Sequence, residues 1–164
     1  MTRIFLVLIA PAGPTTPAVS KILTTRADKV RSEGLNSVVG PLVDAALSRR
    51  TRRTQPLVVG TVRASILSRS VEGYARTSLA LAGATTPPAY ADIVADTLIV
   101  IGNEDKLAPR SEGADIICKG VRKARVVALK DVGHWPQLEK IDETAKLLKD
   151  FALGKTTRSI FSRL

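Results

Sequence analysis

Two short polar segments carry most of the side chains in this chain that could do chemistry. An Asn-Glu-Asp run at 103–105 follows one apolar, β-branched stretch, and His134, the only histidine, follows the next one. Carboxylates and imidazole are side chains that transfer protons near neutral pH. The carboxyl ends of parallel strands meet at one edge of a sheet, where open α/β sheets bind ligands, so we expect these groups to lie together. The pattern indicates acid–base chemistry, with the alternatives of an acid that caps the following helix and a histidine that only packs.

The elements that must position these residues follow from the hydrophobic pattern. Continuous apolar runs are typical of strands buried on both faces, whereas apolar residues spaced by three and four are typical of helices. Strands that alternate with helices predict a parallel sheet, and the long helical block after the first strand predicts a cap over the site. We predict strands over 4–10, 97–101 and 124–129, and helices over 17–31, 35–47, 56–68, from Ser70 or Glu72 to 82, 111–120 and 141–152.

The two polar segments resemble the acid loop and the histidine loop of the α/β-hydrolase family. They read Gly-Asn-Glu-Asp-Lys-Leu-Ala-Pro at 102–109 and Val-Gly-His-Trp-Pro-Gln-Leu-Glu at 132–139, and the acid precedes the histidine as in that family. Glu-Gly-Tyr-Ala at 72–75 and Gly-Leu at 34–35 look like the 3-oxoadipate enol-lactonase branch, whose substrate is a small lactone carboxylate. The resemblance covers nearly the whole chain and aligns it with the C-terminal half of the family.

That resemblance implies a domain organisation. The fold would be α/β, a partial α/β-hydrolase with about three parallel strands, corresponding to the family's sixth to eighth strands. Residues 1–153 would form the C-terminal portion of the hydrolase domain, with a helical cap at about 17–88, and residues 154–164 a basic flexible tail. We expect helices to cover the short sheet on one side only.

The resemblance also assigns roles to single residues. His134 is the general base that takes the proton of a nucleophile and later activates water. Asp105 holds the other imidazole nitrogen and stabilises the imidazolium. Glu104 competes for the place of the acid, and the family's loop spacing favours Asp105. Trp135 and the cap helices would line the substrate pocket, and no cofactor or metal is implied.

The family's nucleophile motif, Gly-x-Ser-x-Gly, does not occur in the sequence. The serines at 65, 68, 70 and 78 belong to predicted cap helices, where no strained turn would present a hydroxyl. We therefore expect a protein whose ancestral reaction is the hydrolysis of small carboxylic esters or lactones by a Ser-Asp-His mechanism, but which is a truncated or inactive form when isolated. The alternative is a non-catalytic protein that binds a ligand in the cap pocket or a partner at the open sheet edge.

Composition narrows the range of partners. The chain is 45% hydrophobic and 24% charged, with a formal net charge of +10, and no apolar run has the roughly 18 residues of a membrane span. An arginine cluster at 49–53 lacks interleaved aromatics, which argues against nucleic-acid binding. This cluster and Arg63 either hold a substrate carboxylate or form a solvated helix face, and the single thiol, Cys118, is expected to be inert.

We expect a small ester or lactone as substrate if an N-terminal half completes the fold. The first strand, 4–10, would expose an apolar edge that invites a homo-oligomer or another partner.

The two ends of the chain resemble targeting signals. The apolar run at 4–10 imitates a short signal peptide, but a buried strand explains it better. Ser162, Arg163 and Leu164 are similar to the Ser-Lys-Leu peroxisomal address, with arginine in place of lysine. The expected location is therefore the peroxisome or the cytoplasm.

Overall fold

Three parallel strands and eight α-helices make up the part of the chain that the computed structural model describes, residues 4–155. The strands form one sheet in the order β1 (Phe5–Ile9), β2 (Asp96–Gly102) and β3 (Ala124–Leu129). The helices are α1 (Pro17–Glu33), α2 (Asn36–Ala46), α3 (Arg49–Thr54), α4 (Pro56–Leu67), α5 (Val71–Ala82), α6 (Ala114–Gly120), α7 (Pro136–Glu139) and α8 (Ile141–Ala152). The predicted fold class, a short parallel sheet with a helical cap, is confirmed.

Helices cover both faces of the sheet, so the expectation of one-sided cover is wrong. Leu98 and Val100 of the central strand β2 pack with Phe151 of α8, and the alternate residues Ile99 and Ile101 pack against α6. Successive side chains of a strand point to opposite faces, so a strand that is apolar throughout needs cover on both. Each fully buried aliphatic side chain contributes roughly 1.5–3 kcal/mol.

The cap consists of α1 to α5, and local signals fix where its helices begin. The side chain of Thr16 accepts a hydrogen bond from Val19 N at the start of α1, and Ser70 accepts one from Gly73 N at the start of α5. Ser70 is thus the N-cap, which settles the choice left open between Ser70 and Glu72. Glu72 lies in the first turn of α5, where a carboxylate interacts favourably with the helix dipole.

Two helices were missed by the sequence pattern, and one begins later than predicted. The α3 segment has no apolar periodicity, and it forms because the Ser48 hydroxyl accepts a bond from Thr51 N at 3.1 Å. Helix α7 has only four residues. The helix predicted at 111–120 is a 3-10 turn at Arg110–Glu112 followed by α6, because Gly113 between them has non-helical dihedral angles.

Within residues 4–155, no helix is both long enough and apolar enough to cross a lipid bilayer. The predicted tail at 154–164 falls largely outside the described residues, and the tripeptide at 162–164 falls outside them altogether.

Candidate active site

The acid loop after β2 and the histidine loop after β3 meet at one edge of the sheet. Asp105 Oδ2 lies 2.8 Å from His134 Nδ1. The other carboxylate oxygen, Oδ1, accepts bonds from Leu107 N at 2.8 Å and Ala108 N at 3.0 Å. The Asp105 side chain is only 1% exposed, whereas that of His134 is 29% exposed. The buried carboxylate is therefore fully bonded, as burial of a charge requires, and the imidazole remains open to a reactant.

This contact fixes which imidazole nitrogen carries the proton. An ionised carboxylate can only accept hydrogen bonds, so Nδ1 of His134 must donate to Asp105. In the neutral ring, Nε2 then holds the lone pair and can act as a base. The geometry can orient a base and stabilise the cation formed when it takes a proton.

Glu104, the competitor for the acid, has a different role. Its Oε2 accepts a bond from Arg49 N at 2.8 Å, at the first residue of α3. The structure therefore brings Asp105 to the imidazole, and uses Glu104 to tie the acid loop to the cap. Asp105 also bonds the N–H groups of its own loop, but it caps no helix, because the next helical turn begins at Arg110 without a side-chain cap.

Two glycines allow the loops to approach each other and the cap. A Cβ at Gly102 would lie 2.1 Å from the carbonyl oxygen of Gly133. A Cβ at Gly133 would lie 2.3 Å from the carbonyl oxygen of Ala46, at the end of α2. These distances exclude any side chain, so the imidazole reaches Asp105 because backbone packs directly on backbone at both positions.

A cavity of about 310 Å³ lies between the cap and the acid loop, with His134 in its wall. Its apolar wall includes Leu23 of α1, Leu81 of α5 and Leu107 of the acid loop. Half-buried Arg26 of α1 contributes a cation, which the sequence analysis missed because the helical spacing alone does not show which face meets a cavity. Lys106 and Glu112 also border it. A small, mainly apolar pocket with several polar groups is typical of a site for a small organic molecule.

Trp135 lies outside the wall of the cavity that contains His134, and its part in binding a substrate stays a prediction. It borders a second cavity of about 570 Å³ beside α4 and α5, and it packs against the cap core that includes Val62. Its ring meets the imidazole of His134 edge-on, with centroids 6.3 Å apart. The chain turns at this point so that neighbouring side chains diverge, which residue type alone does not reveal.

The remaining candidates lie away from the imidazole. Arg52 pairs with Asp44 at 3.1 Å, and Arg63 is exposed on α4. Cys118 is half-buried, with its thiol 3.7 Å from Ala124 O. Residues 4–155 contain no cluster of three or more side chains suited to hold a metal ion. The serines at 65, 68 and 70 border the cavity of Trp135 instead.

Comparison with known proteins decides the family. The family model described as the alpha/beta hydrolase fold matches residues 6–141. The chain belongs to the α/β-hydrolase family. Among solved structures, a thermophilic esterase from Thermogutta terrifontis superposes with a TM-score of 0.80 at 24% identity, over 93% of this chain and 56% of that one. The enol-lactonase of Burkholderia xenovorans LB400 gives 0.78 at 24% identity, with the same coverage.

A curated relative matches a shorter stretch. The 2-hydroxy-6-oxo-6-phenylhexa-2,4-dienoate hydrolase of Comamonas testosteroni is 36% identical over 64 residues, which are 39% of this chain and 22% of that protein. This hydrolase-family chain thus spans little more than half of the solved structures that it superposes on.

Proposed function

We propose that this chain supplies the acid, the base and the cap of a hydrolase that acts on small carboxylic esters or lactones by a Ser-Asp-His mechanism. The observation that carries the proposal is the 2.8 Å contact between Asp105 and His134 in the wall of a small, largely apolar cavity. The esterase and enol-lactonase folds among its structural neighbours support the same chemistry.

Each of the two side chains has a defined part in the reaction. His134 takes the proton from a serine hydroxyl as the oxygen attacks the substrate carbonyl, and returns it to the leaving alcohol. It then takes a proton from the water that attacks the acyl group, and passes it to the serine oxygen as the acid leaves. Asp105 stabilises the imidazolium in both halves of the cycle. The serine must come from a segment that carries the Gly-x-Ser-x-Gly motif, which this sequence lacks.

The isolated chain is predicted to be inactive. Loss of one triad member costs about four to six powers of ten in kcat, and loss of an oxyanion donor costs two to three more. The test is the hydrolysis of p-nitrophenyl acetate and a small lactone by the purified 164-residue chain. The expected rate is that of the buffer alone. Clear turnover that His134→Ala abolishes would overturn the proposed need for a serine.

The same proposal is tested in the source cells with an antibody raised against residues 106–123. A band clearly heavier than 17.5 kDa that reacts with a fluorophosphonate serine probe supports the hydrolase. A band at 17.5 kDa that the probe does not label, in cells where no labelled protein copurifies, counts against it.

Arg26 suggests that the substrate carries a negative charge. It is the half-buried cation in the wall of the cavity that contains His134, and guanidinium binds carboxylate with two parallel hydrogen bonds. We expect hexanoate, but not 1-hexanol of nearly the same size, to shift the NMR signals of His134 in the isolated chain. Arg26→Met should remove the shift, while Arg63→Met, on the exposed face of α4, should keep it. Equal shifts by acid and alcohol would refute a carboxylate site.

A second candidate function is partner binding at the edge of the sheet. Among the described residues, β1 pairs only with β2, and a strand with a free edge can accept another strand. The occupant would be a second copy of this chain or a polypeptide carrying the serine. A stable complex without hydrolase activity, isolated from the source cells, would favour this function.

The location remains a proposal that rests on the sequence. We propose import into peroxisomes through the tripeptide at 162–164, with the cytoplasm as the alternative. A fluorescent protein fused before this chain should be punctate in peroxisome-containing cells and should become diffuse on deletion of Leu164. A diffuse signal from the intact tail would contradict import.

A further inference from the structure

Glu139 is a buried carboxylate that bonds the backbone on both sides of His134. Glu139 is 4% exposed. Oε1 accepts from Gly133 N at 2.9 Å and from Trp135 N at 3.3 Å. The other oxygen, Oε2, accepts from Ser48 N at 2.9 Å. Within residues 4–155, backbone N–H groups thus provide the contacts of both oxygens, which is how a buried charge without an ion pair is stabilised.

The N–H group between those two is held as well, but by the cap. His134 N donates to Ala46 O at 2.6 Å. Three consecutive N–H groups of the histidine loop are therefore bonded, the outer two to Glu139 and the middle one to the end of α2. Because the peptide planes on both sides of His134 are fixed, the direction of its Cα–Cβ bond is fixed too.

Ser48 connects the cap to the same carboxylate, that of Glu139. It is the N-cap of α3, two residues after the last residue of α2, and is 1% exposed. Its N–H group shares one carboxylate with the N–H groups of Gly133 and Trp135. A movement of this part of the cap would therefore pull on the group that orients His134.

We propose that Glu139 is a positioning residue that sets the orientation of His134 and couples it to the seating of the cap. Its importance for hydrolysis rests on the proposed function. The orientation itself does not, because it can be measured on the imidazole without any turnover. The effect on the imidazole is transmitted through the backbone at 133 and 135.

Glu139→Gln keeps the shape of the side chain and removes part of its bonding capacity. An amide has one acceptor oxygen and one NH2 donor, so the NH2 group must face either Ser48 N or the N–H groups of the loop. Two donors then face each other in a buried place, so either the bond to Ser48 N or the bonds to the histidine loop are lost. Glu143→Gln is the matched control, since Glu143 lies on the neighbouring helix α8 with a half-exposed side chain.

The experiment is 15N NMR of the full chain, in which the single histidine gives one set of ring signals. In Glu139→Gln we expect solvent exchange of the His134 Nδ1–H to become roughly tenfold faster, the effect of losing about one hydrogen bond. Amide protection in β2 and β3 should stay as in the parent chain, and Glu143→Gln should change neither. Unchanged ring exchange, or ring exchange that rises only in step with the loss of strand protection, would overturn the proposal.

A second pair of variants tests the cap side if Glu139→Gln fails to fold. Ser48 has φ −62°, which proline adopts, so Ser48→Pro deletes the N–H donor to Glu139 and places a ring CH2 against Oε2, which forces the carboxylate to move. Ser48→Ala removes only the hydroxyl that caps α3. Faster Nδ1–H exchange in Ser48→Pro than in Ser48→Ala supports the coupling, and equal exchange in the two variants overturns it.

Discussion

At the scale of the residue, Asp105 combines two jobs that are often divided between residues. One oxygen holds the turn of its own loop at Leu107 and Ala108, and the other holds His134. Because the turn already orients the carboxylate, the Asp105 side chain loses little rotational freedom when it bonds His134. This economy explains why Glu104, one residue earlier, is free to bond the cap.

Asp105→Asn should leave the loop folded and change the proton on the imidazole. The amide oxygen can still accept from the N–H groups of Leu107 and Ala108, but its NH2 group then faces Nδ1 of His134 and drives the proton to Nε2. The measurement is the tautomer of His134 from its ring 15N shifts. In an assembly that includes the serine, kcat should fall by roughly 10⁴.

Glu104→Gln serves as the control for this substitution, because it should leave the ring shifts as they are. An Nδ1–H tautomer that persists in Asp105→Asn would show that Asp105 does not set the protonation of the ring.

At the scale of the elements, backbone packing at the histidine loop predicts opposite effects for two glycine substitutions. Gly133→Ala forces a methyl group against Ala46 O, which should destabilise the chain by about 1–3 kcal/mol or more. Gly60→Ala, on the exposed face of α4 with open space at its Cβ, should stabilise it by about 0.5–1 kcal/mol. Urea unfolding followed by circular dichroism measures both.

If Gly133→Ala raises the stability of the chain, the close approach of the histidine loop to the cap is wrong. A Gly133→Ala chain that keeps its stability would carry the same meaning.

The contact between α1 and α5 should depend on pH. Bonds from Arg31 and Arg76 lower the pKa of Glu72 from 4.5 to about 2. A lowered pKa in the folded state stabilises the fold above the unfolded value and loses this effect as the pH falls through the folded value. Glu72→Gln should therefore lower Tm at pH 7, and this difference should shrink between pH 4.5 and 2.

Because the group is solvent-exposed, salt should weaken the effect too. Glu33→Gln, whose pair with Lys29 lies within α1, provides the comparison. A Tm difference for Glu72→Gln that stays constant down to pH 2 would contradict the ionic tie.

The sequence predicted elements whose signals are local and regular. The bounds of α8 and β3 agree with prediction, because apolar spacing and β-branched runs are direct consequences of burial. Helix α3 was missed because a capping hydroxyl, rather than an apolar face, starts it. In the site, the order of the strands was enough to predict that Asp105 and His134 lie close together. The side taken by Trp135 and the contacts of Glu139 depend on tertiary approach, which no local pattern encodes.

At the scale of the whole molecule, the sheet has apolar surface at the β1 side. Ile4, just before β1, is 78% exposed and Phe5 is 40% exposed, and an apolar strand edge favours association. We predict concentration-dependent oligomers of the chain in sedimentation velocity, reduced by Ile4→Lys. Leu57→Lys is the control, since Leu57 is 86% exposed but lies on the cap. Equal effects of the two lysines would point to general solubility rather than to the strand edge.

The contacts of Ala46 with His134 N and of Ser48 with Glu139 limit where the cap can be exchanged between members of the family. A new cap fitted onto this sheet must bring its own carbonyl for His134 N and its own N–H for Glu139, in the same positions. Splices placed after α3 keep the residues that make both bonds, whereas exchange of the segment from α2 to α3 replaces them while leaving every residue of the acid–base pair intact. Libraries that exchange cap helices to change the substrate range should therefore place the splice after Thr54, so that the chimeras keep the orientation of His134.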